Sequence, residues 1–269
     1  MKSFTYDGRW GEALRCARAA ELRELIRDTF HDLVFEPVPH TYSWHGKDLI
    51  SVSSLIEARY ANPFDAVGLS VRCSERDRDN PSGKYYGMSP EAIRAAWEEN
   101  SQRALDQGHE RHAFAERVFN AVFTGRTVEA SCPGEEAVLA HWDSFGPDEV
   151  PLLAEVPVCV PDLGYAGTFD LLLWRPSADT LLLKDWKTTR EIEKSSYGRR
   201  LRTPFGDVPD QPKGEYSIQL SAYQVALERT GLMVESRELL QILEDGSGRK
   251  YLLDYLGDRL VDDLTDRPL

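Results

Sequence analysis

An α/β or α+β protein, with a mixed central sheet flanked by helices, is the fold class this sequence predicts. Three observations lead there. Helical patterns dominate the first half of the chain, three apolar strand patterns follow closely between 152 and 187, and a helix with two more strand patterns comes after them. Helices gathered ahead of a strand meander imply a sheet core with an N-terminal helical elaboration.

The elements follow in order. Between Arg9 and His31, the residues Leu14, Ala17, Leu22, Leu25, Ile26 and Phe30 fall near helical spacing. Phe35 to Ile50 alternates like a short hairpin whose turn is His45-Gly46-Lys47-Asp48. Ser51 and Ser53 offer cap hydroxyls to a helix through Ser54, Leu55 and Ile56. Residues 76–90 are polar, contain two prolines, and read as a loop. A long helix starts at Ser89-Pro90-Glu91, a hydroxyl cap followed by proline and an acid, and continues to about Phe123. Gly134 to Phe145 is another helix. Strands are expected near 152–160, 164–174 and 180–187, a helix from Glu215 to Thr230, and strands near 235–244 and 248–254. The resulting division is an elaboration over 1–88 packed on the core, a core over 89–257, and a solvated acidic tail over 258–269, all within one compact domain.

With 41% hydrophobic and 29% charged residues, the chain has the composition of an ordinary globular protein rather than a disordered or fibrous one. It has no 18-residue apolar stretch, so no transmembrane helix is expected. The first residues, MKSFTYDGRW, lack the apolar core of a secretory signal. Cys16, Cys73, Cys132 and Cys159 are widely spaced, with no CxxC pair for a zinc ribbon, which suits reduced thiols. A cytoplasmic protein is the expectation. A net charge of −13 speaks against a wholly basic, nucleic-acid-coating surface. Charges more than about 8 Å apart are screened at physiological ionic strength, so a local basic patch still acts.

The chemistry concentrates in two strands. Lys184-Asp185-Trp186-Lys187 closes the apolar run Leu181-Leu182-Leu183, and side-chain alternation puts Asp185 and Lys187 on one face. The preceding strand pattern, Gly164 to Trp174, carries Asp170 among apolar residues. A hairpin centred between Ser177 and Ala178 places Asp170 opposite Asp185, and directly opposed residues have Cβ atoms about 4.5–5.5 Å apart. Two carboxylates that close repel unless a positive charge sits between them. A divalent cation answers this, with Asp170 and Asp185 as oxygen ligands and the Trp186 backbone carbonyl as a third. Lys187 then orients an attacking water or neutralises a phosphate. The arrangement suits phosphodiester hydrolysis.

Two further groups lie on helices. In GHERHAFAE, His112 and Glu116 are four apart and share a face, and His109 is three before His112. Position 113 is Ala, so this is no HExxH protease motif. Gln219 and Tyr223 are likewise helical neighbours, placed to bond the lysine, a phosphate or a sheet edge. Residues 188–214 form a long irregular stretch with six basic and four acidic side chains, a net +2 in an acidic chain. Arg190, Arg199, Arg200 and Arg202 make it a candidate strand-guiding arm, with Tyr197 and Phe205 available to stack on bases.

In this order the helix GHERHAFAE, the strand GTFD, the strand LLLKDWKTT and the helix QLSAYQVAL resemble the PD-(D/E)XK nuclease superfamily. The likeness is to its RecB-like exonuclease branch, common in phages. HTYSWHGKDLISVSSLI is similar to the segment that opens phage proteins of this type, and the resemblance covers roughly residues 40–228. It implies a restriction-endonuclease-like sheet and a Mg²⁺- or Mn²⁺-dependent DNA nuclease, an exonuclease acting on ends or single strands. It makes His112, Asp170 and Asp185 metal ligands, Lys187 the catalytic lysine, and Gln219 with Tyr223 a supporting, substrate-contacting motif. Glu155, on the preceding strand, is an additional acid near the metal. Trp97 and Gly108 fall where the branch has an aromatic and a small residue. No cysteine follows Cys159, so the iron–sulfur cluster of some relatives is not expected, and no GxxxxGK[ST] helicase loop is present. DNA is the implied partner, and a recombination or replication protein or a homo-oligomer is compatible with the resemblance. Two other readings stay open at this level: a catalytically silent nucleic-acid- or protein-binding module on the same fold, and a repair-specific or RNA-directed endonuclease.

Overall fold

The computed structural model describes residues 2–269. By contacts the chain divides into two compact units, one formed by residues up to Ala61 together with Arg111–Leu269, the other by Asn62–Glu110. The sequence boundary at 88/89 coincides with neither edge.

The larger unit begins with a short strand β1 (Ser3–Phe4) and two helices, α1 (Gly11–Arg15) and α2 (Ala17–Thr29). The single helix expected here is broken at Cys16, whose backbone is extended (φ −69°, ψ 154°) and whose Sγ accepts from the Ala19 amide to cap α2. β2 (Leu33–Glu36), β3 (Thr41–Trp44) and β4 (Lys47–Ser51) form an antiparallel meander. The β3–β4 turn is tighter than the four residues expected. Trp44 pairs with Lys47, leaving His45 (φ 47°) and Gly46 (φ 75°) as a two-residue loop whose positive-φ backbone matches the right-handed twist of the strands. Ser51 then caps α3 (Val52–Leu55), its hydroxyl accepting from the Ser54 amide at 3.1 Å, and a π-helical turn over Ile56–Tyr60 extends the helix.

The smaller unit contains α4 (Ala66–Asp77) and the first part of the long helix α5 (Pro90–Thr124). The predicted loop follows α4. Asp77 is buried, pairs with Arg76 at 2.7 Å and accepts the Tyr85 amide at 3.0 Å. Trp97 donates its indole N–H to the Tyr85 hydroxyl at 2.9 Å.

Back in the larger unit come β5 (Val128–Glu129), which pairs with β1, and α6 (Pro133–Asp143). The central strands β6 (Val150–Val160), β7 (Tyr165–Arg175) and β8 (Thr180–Lys187) are followed by α7 (Pro212–Glu228), β9 (Val234–Gln241), β10 (Lys250–Leu252) and α8 (Gly257–Asp266). The main sheet runs β10-β9-β8-β7-β4-β3-β2, with β6 on the other edge of β7. It is mixed: β7 is antiparallel to β6 and β8 but parallel to β4, and β8 is parallel to β9. Because β4 joins this sheet, the first part of the chain belongs to the core and not to an appended elaboration. Leu171–Leu173, Leu181–Leu183, Leu239 and Leu240 are at most 1% exposed. Burial of each stabilises the fold by about 1.5–3 kcal/mol. α7 packs across β6, β7, β8 and β9.

The predicted acidic tail is also corrected. Gly257–Asp266 is helical, with Leu260 and Leu264 buried one turn apart and Asp263 accepting the Tyr60 hydroxyl at 2.8 Å. Its charged residues hid that apolar pair. Among the described residues no helix is long and apolar enough to cross a membrane.

On a single edge of β7, the ladder to β4 covers Tyr165 and Ala166, and the ladder to β8 begins only at Leu171. The sheet forks between them, and Gly167 to Asp170 lie in the fork.

Candidate metal centre

Three acids line up across the fork. β7 and β8 pair from Arg175↔Thr180 to Leu171↔Lys184, and one further step brings Asp170 to Asp185, the register expected from a turn centred between Ser177 and Ala178. On the other side Ala154↔Leu171 and Val156↔Phe169 bracket Glu155 and Asp170. A one-residue register shift between Pro151 and Leu153 achieves this, since without it Ala154 would face Asp170. Glu155 itself has φ 52°. A non-glycine residue held there inside a strand costs on the order of 1–3 kcal/mol. The strain aims a glutamate at two other carboxylates.

His112 of α5 caps the row. Its Nε2 lies 3.1 Å from the Trp186 carbonyl oxygen, which only accepts, so Nε2 carries the proton. Nδ1 then faces acids, 3.6 Å from Asp170 Oδ2 and 3.7 Å from Glu155 Oε1. Burial disfavours charge on the imidazole, but Asp170 and Glu155 outweigh it and lift its pKa to about 9. Ligand atoms of His112, Glu155 and Asp170 all lie within 4.8 Å of one another.

Asp170 and Asp185 are buried beside them. The Trp186 amide donates to Asp170 Oδ2 at 2.7 Å. Burial raises the pKa of Asp170, against the pull of His112 and Lys187. Asp185 is pushed up to about 6, by burial first and by Asp170 second. Lys187 Nζ sits 2.6 Å from Asp185 Oδ2, and no other group donates a hydrogen bond to either Asp185 oxygen. Burial opposes the charge on Lys187, but Asp185 and Asp170 reverse that effect and hold its pKa above normal.

From α7, Gln219 donates to the Tyr223 hydroxyl at 3.0 Å. The Tyr223 ring fills the fork where a side chain at 167 would begin. A Cβ on Gly167 would stand 2.5 Å from Tyr223 Cε1 and 2.9 Å from its hydroxyl oxygen. The glycine of GTFD is therefore a space requirement of the tyrosine.

Some expected residues are elsewhere. Glu116 and His109 are exposed, and neither belongs to a metal-capable cluster among the described residues. The Trp186 carbonyl, expected as a ligand, accepts from His112 and keeps its second lone pair. Phe205 cannot stack on bases, because it is fully buried edge-on to Tyr60 at 4.9 Å. The segment 188–214 is irregular as expected, but Ile192 and Leu201 anchor it in the core. Three of its arginines have partners within the chain: Arg199 pairs with Asp210 at 2.7 Å, Arg200 donates to the Asp207 carbonyl, and Arg202 donates to the Ala58 carbonyl. Arg190 is exposed, 3.9 Å from Glu244, and Tyr197 is 93% exposed.

Two residues near Lys187 escaped the sequence reading. Tyr216 lies three residues before Gln219 and seven before Tyr223, a helical stripe that could have revealed it. Buried Gln241 ends β9 and donates to the carbonyls of Thr189 and Arg190 at 2.8 and 3.0 Å.

The donor set fits a hard divalent cation. The cluster whose ligand atoms converge offers two carboxylates, Glu155 and Asp170, and one imidazole nitrogen. Asp185, expected as a ligand, lies outside that cluster and is held by Lys187. Oxygen-rich sites of this kind suit Mg²⁺ and Mn²⁺. No family model matches the chain, and comparison with curated proteins gives no significant match.

Proposed function

We propose that this protein is a Mg²⁺- or Mn²⁺-dependent nuclease of the PD-(D/E)XK type, on a restriction-endonuclease-like sheet, hydrolysing DNA phosphodiesters at ends or in single strands. The observation that carries the reading is the row Glu155–Asp170–Asp185, flanked by His112 and by the ammonium of Lys187.

Asp170, Asp185, Glu155 and the neutral Nδ1 of His112 would hold the cation, with the Trp186 carbonyl beside them. When bound, the cation supplies charge neutralisation at the scissile phosphate and a water made nucleophilic. Asp170 is fixed by the Trp186 amide, and His112 is fixed by the Trp186 carbonyl, so one residue orients two ligands from the second layer. Lys187 orients the attacking water or balances charge building on the phosphate. The fork leaves Gly167 to Asp170 free of a strand neighbour on one edge, the side from which a phosphate would approach. Tyr223, held by Gln219, packs against Gly167 within the fork.

The acidic surface makes binding local and salt-sensitive rather than general. The test is digestion of 5′- and 3′-labelled single-stranded DNA, linear duplex, closed circles and RNA with Mg²⁺ or Mn²⁺. Cleavage of linear DNA that stops on chelation is the expected result. Intact substrates under every condition would overturn the assignment.

A further inference from the structure

Lys187 is held from two sides. Asp185 is 2.6 Å from its ammonium, and the ring of Tyr216 lies beneath it, with Nζ 4.9 Å from the ring centroid. Tyr216 is itself fixed, its hydroxyl 2.6 Å from Thr189 Oγ1. Thr189 is fixed in turn by Gln241, whose carboxamide holds the Thr189 carbonyl, and the Lys187 carbonyl accepts the Ile242 amide at 2.8 Å. The chain leaving β8 is thus clamped at 187 and 189, and the clamp delivers an aromatic face to the lysine.

We propose that Tyr216 is a positioning residue for Lys187, its ring face holding the ammonium against Asp185 while Thr189 fixes the ring. A four-carbon stem gives lysine many rotamers, and an ion pair to one oxygen restrains distance but not direction. The ring supplies the second restraint. A partly desolvated cation–π contact is worth roughly a factor of 2 to 30 in an equilibrium. The catalytic consequence rests on the nuclease reading; the contact itself does not.

The experiment therefore has two readouts. Denaturant unfolding of a Tyr216→Leu, Lys187→Met double-mutant cycle measures the contact without reference to activity. Tyr216→Leu is expected to shift the folding equilibrium several-fold more with Lys187 present than in the Lys187→Met background. Tyr216→Phe, which keeps the ring, is expected to show most of the wild-type coupling. Equal shifts in both backgrounds would overturn the proposal. Cleavage kinetics form the second readout. Tyr216→Leu is expected to lower kcat about tenfold with KM and Mn²⁺ affinity unchanged, and Tyr216→Phe to restore most of the rate. A fall in Mn²⁺ affinity, or no rescue by Phe, would refute a positioning role. If wild type cleaves nothing while the coupling persists, the nuclease reading fails and the lysine–tyrosine pair stands.

Discussion

Lys187 Nζ lies 2.6 Å from an Asp185 carboxylate whose two buried oxygens accept no hydrogen bond from any other group. The lysine supplies the charge that such a carboxylate needs, and the pair is poised for a cation to compete with it. Breaking one member of a buried pair leaves the other uncompensated. Lys187→Met is expected to destabilise the metal-free protein. Asp185→Asn removes a charge that burial and Asp170 disfavour, and is expected to cost little or nothing. The double variant is expected to lose at least about 1 kcal/mol less than the sum of the two. Additive losses in a denaturant series would show that the two charges do not depend on each other.

Glu155 combines a ligand position with a left-handed backbone. Asparagine tolerates that conformation better than glutamate and carries no charge. Glu155→Asn is expected to keep or raise the melting temperature while weakening Mn²⁺ binding about 10-fold or more. A marked loss of stability with Mn²⁺ binding unchanged would remove Glu155 from the site and make it a packing residue.

Gly167 and Tyr223 form a lock. The alanine methyl at 167 would overlap the Tyr223 ring, at a cost of about 1–3 kcal/mol. Gly167→Ala is predicted to destabilise by that amount and to cut cleavage, and Tyr223→Leu in the same chain to recover stability but not rate. Thermal melts and initial rates of the single and the double variant decide it.

Protons and cations compete here. His112 and Asp185 both bind protons more tightly folded than unfolded, with pKa values of about 9 and about 6. Stability of the metal-free protein therefore falls as pH rises from about 4 to 6 through Asp185, and from about 6.5 to 9 through His112, the latter by at most about 3 kcal/mol. Saturating Mn²⁺ should flatten the upper slope, and so should His112→Gln. An upper slope unchanged by that variant would assign the titration elsewhere.

Much of this was legible in the chain. The Asp170–Asp185 register followed from strand alternation and a turn centred at Ser177–Ala178, because the side-chain period leaves little freedom once three leucines must be buried on each strand. Glu155 was named only through the resemblance, since a single bulged residue before Leu153 sets its register against Asp170 and no strand pattern announces it. Cys16 broke a helix because its extended backbone caps the next one. The α8 helix was hidden by charge around Leu260 and Leu264. The partners of the arm were hidden because composition counts arginines and not the acids and carbonyls that Arg199, Arg200 and Arg202 meet in space. Phe205 looked like a stacking residue and is core, as most phenylalanines are.

The central claim is that the carboxylate row with His112 is a metal centre served by Lys187. Mn²⁺ titration and DNA cleavage, run side by side on wild type, Asp170→Asn and Lys187→Ala, test it most directly. The account predicts that wild type binds and cleaves, that Asp170→Asn loses both while remaining folded, and that Lys187→Ala keeps Mn²⁺ but loses cleavage. Unchanged Mn²⁺ binding in Asp170→Asn would contradict it, because the cation would then be held somewhere else.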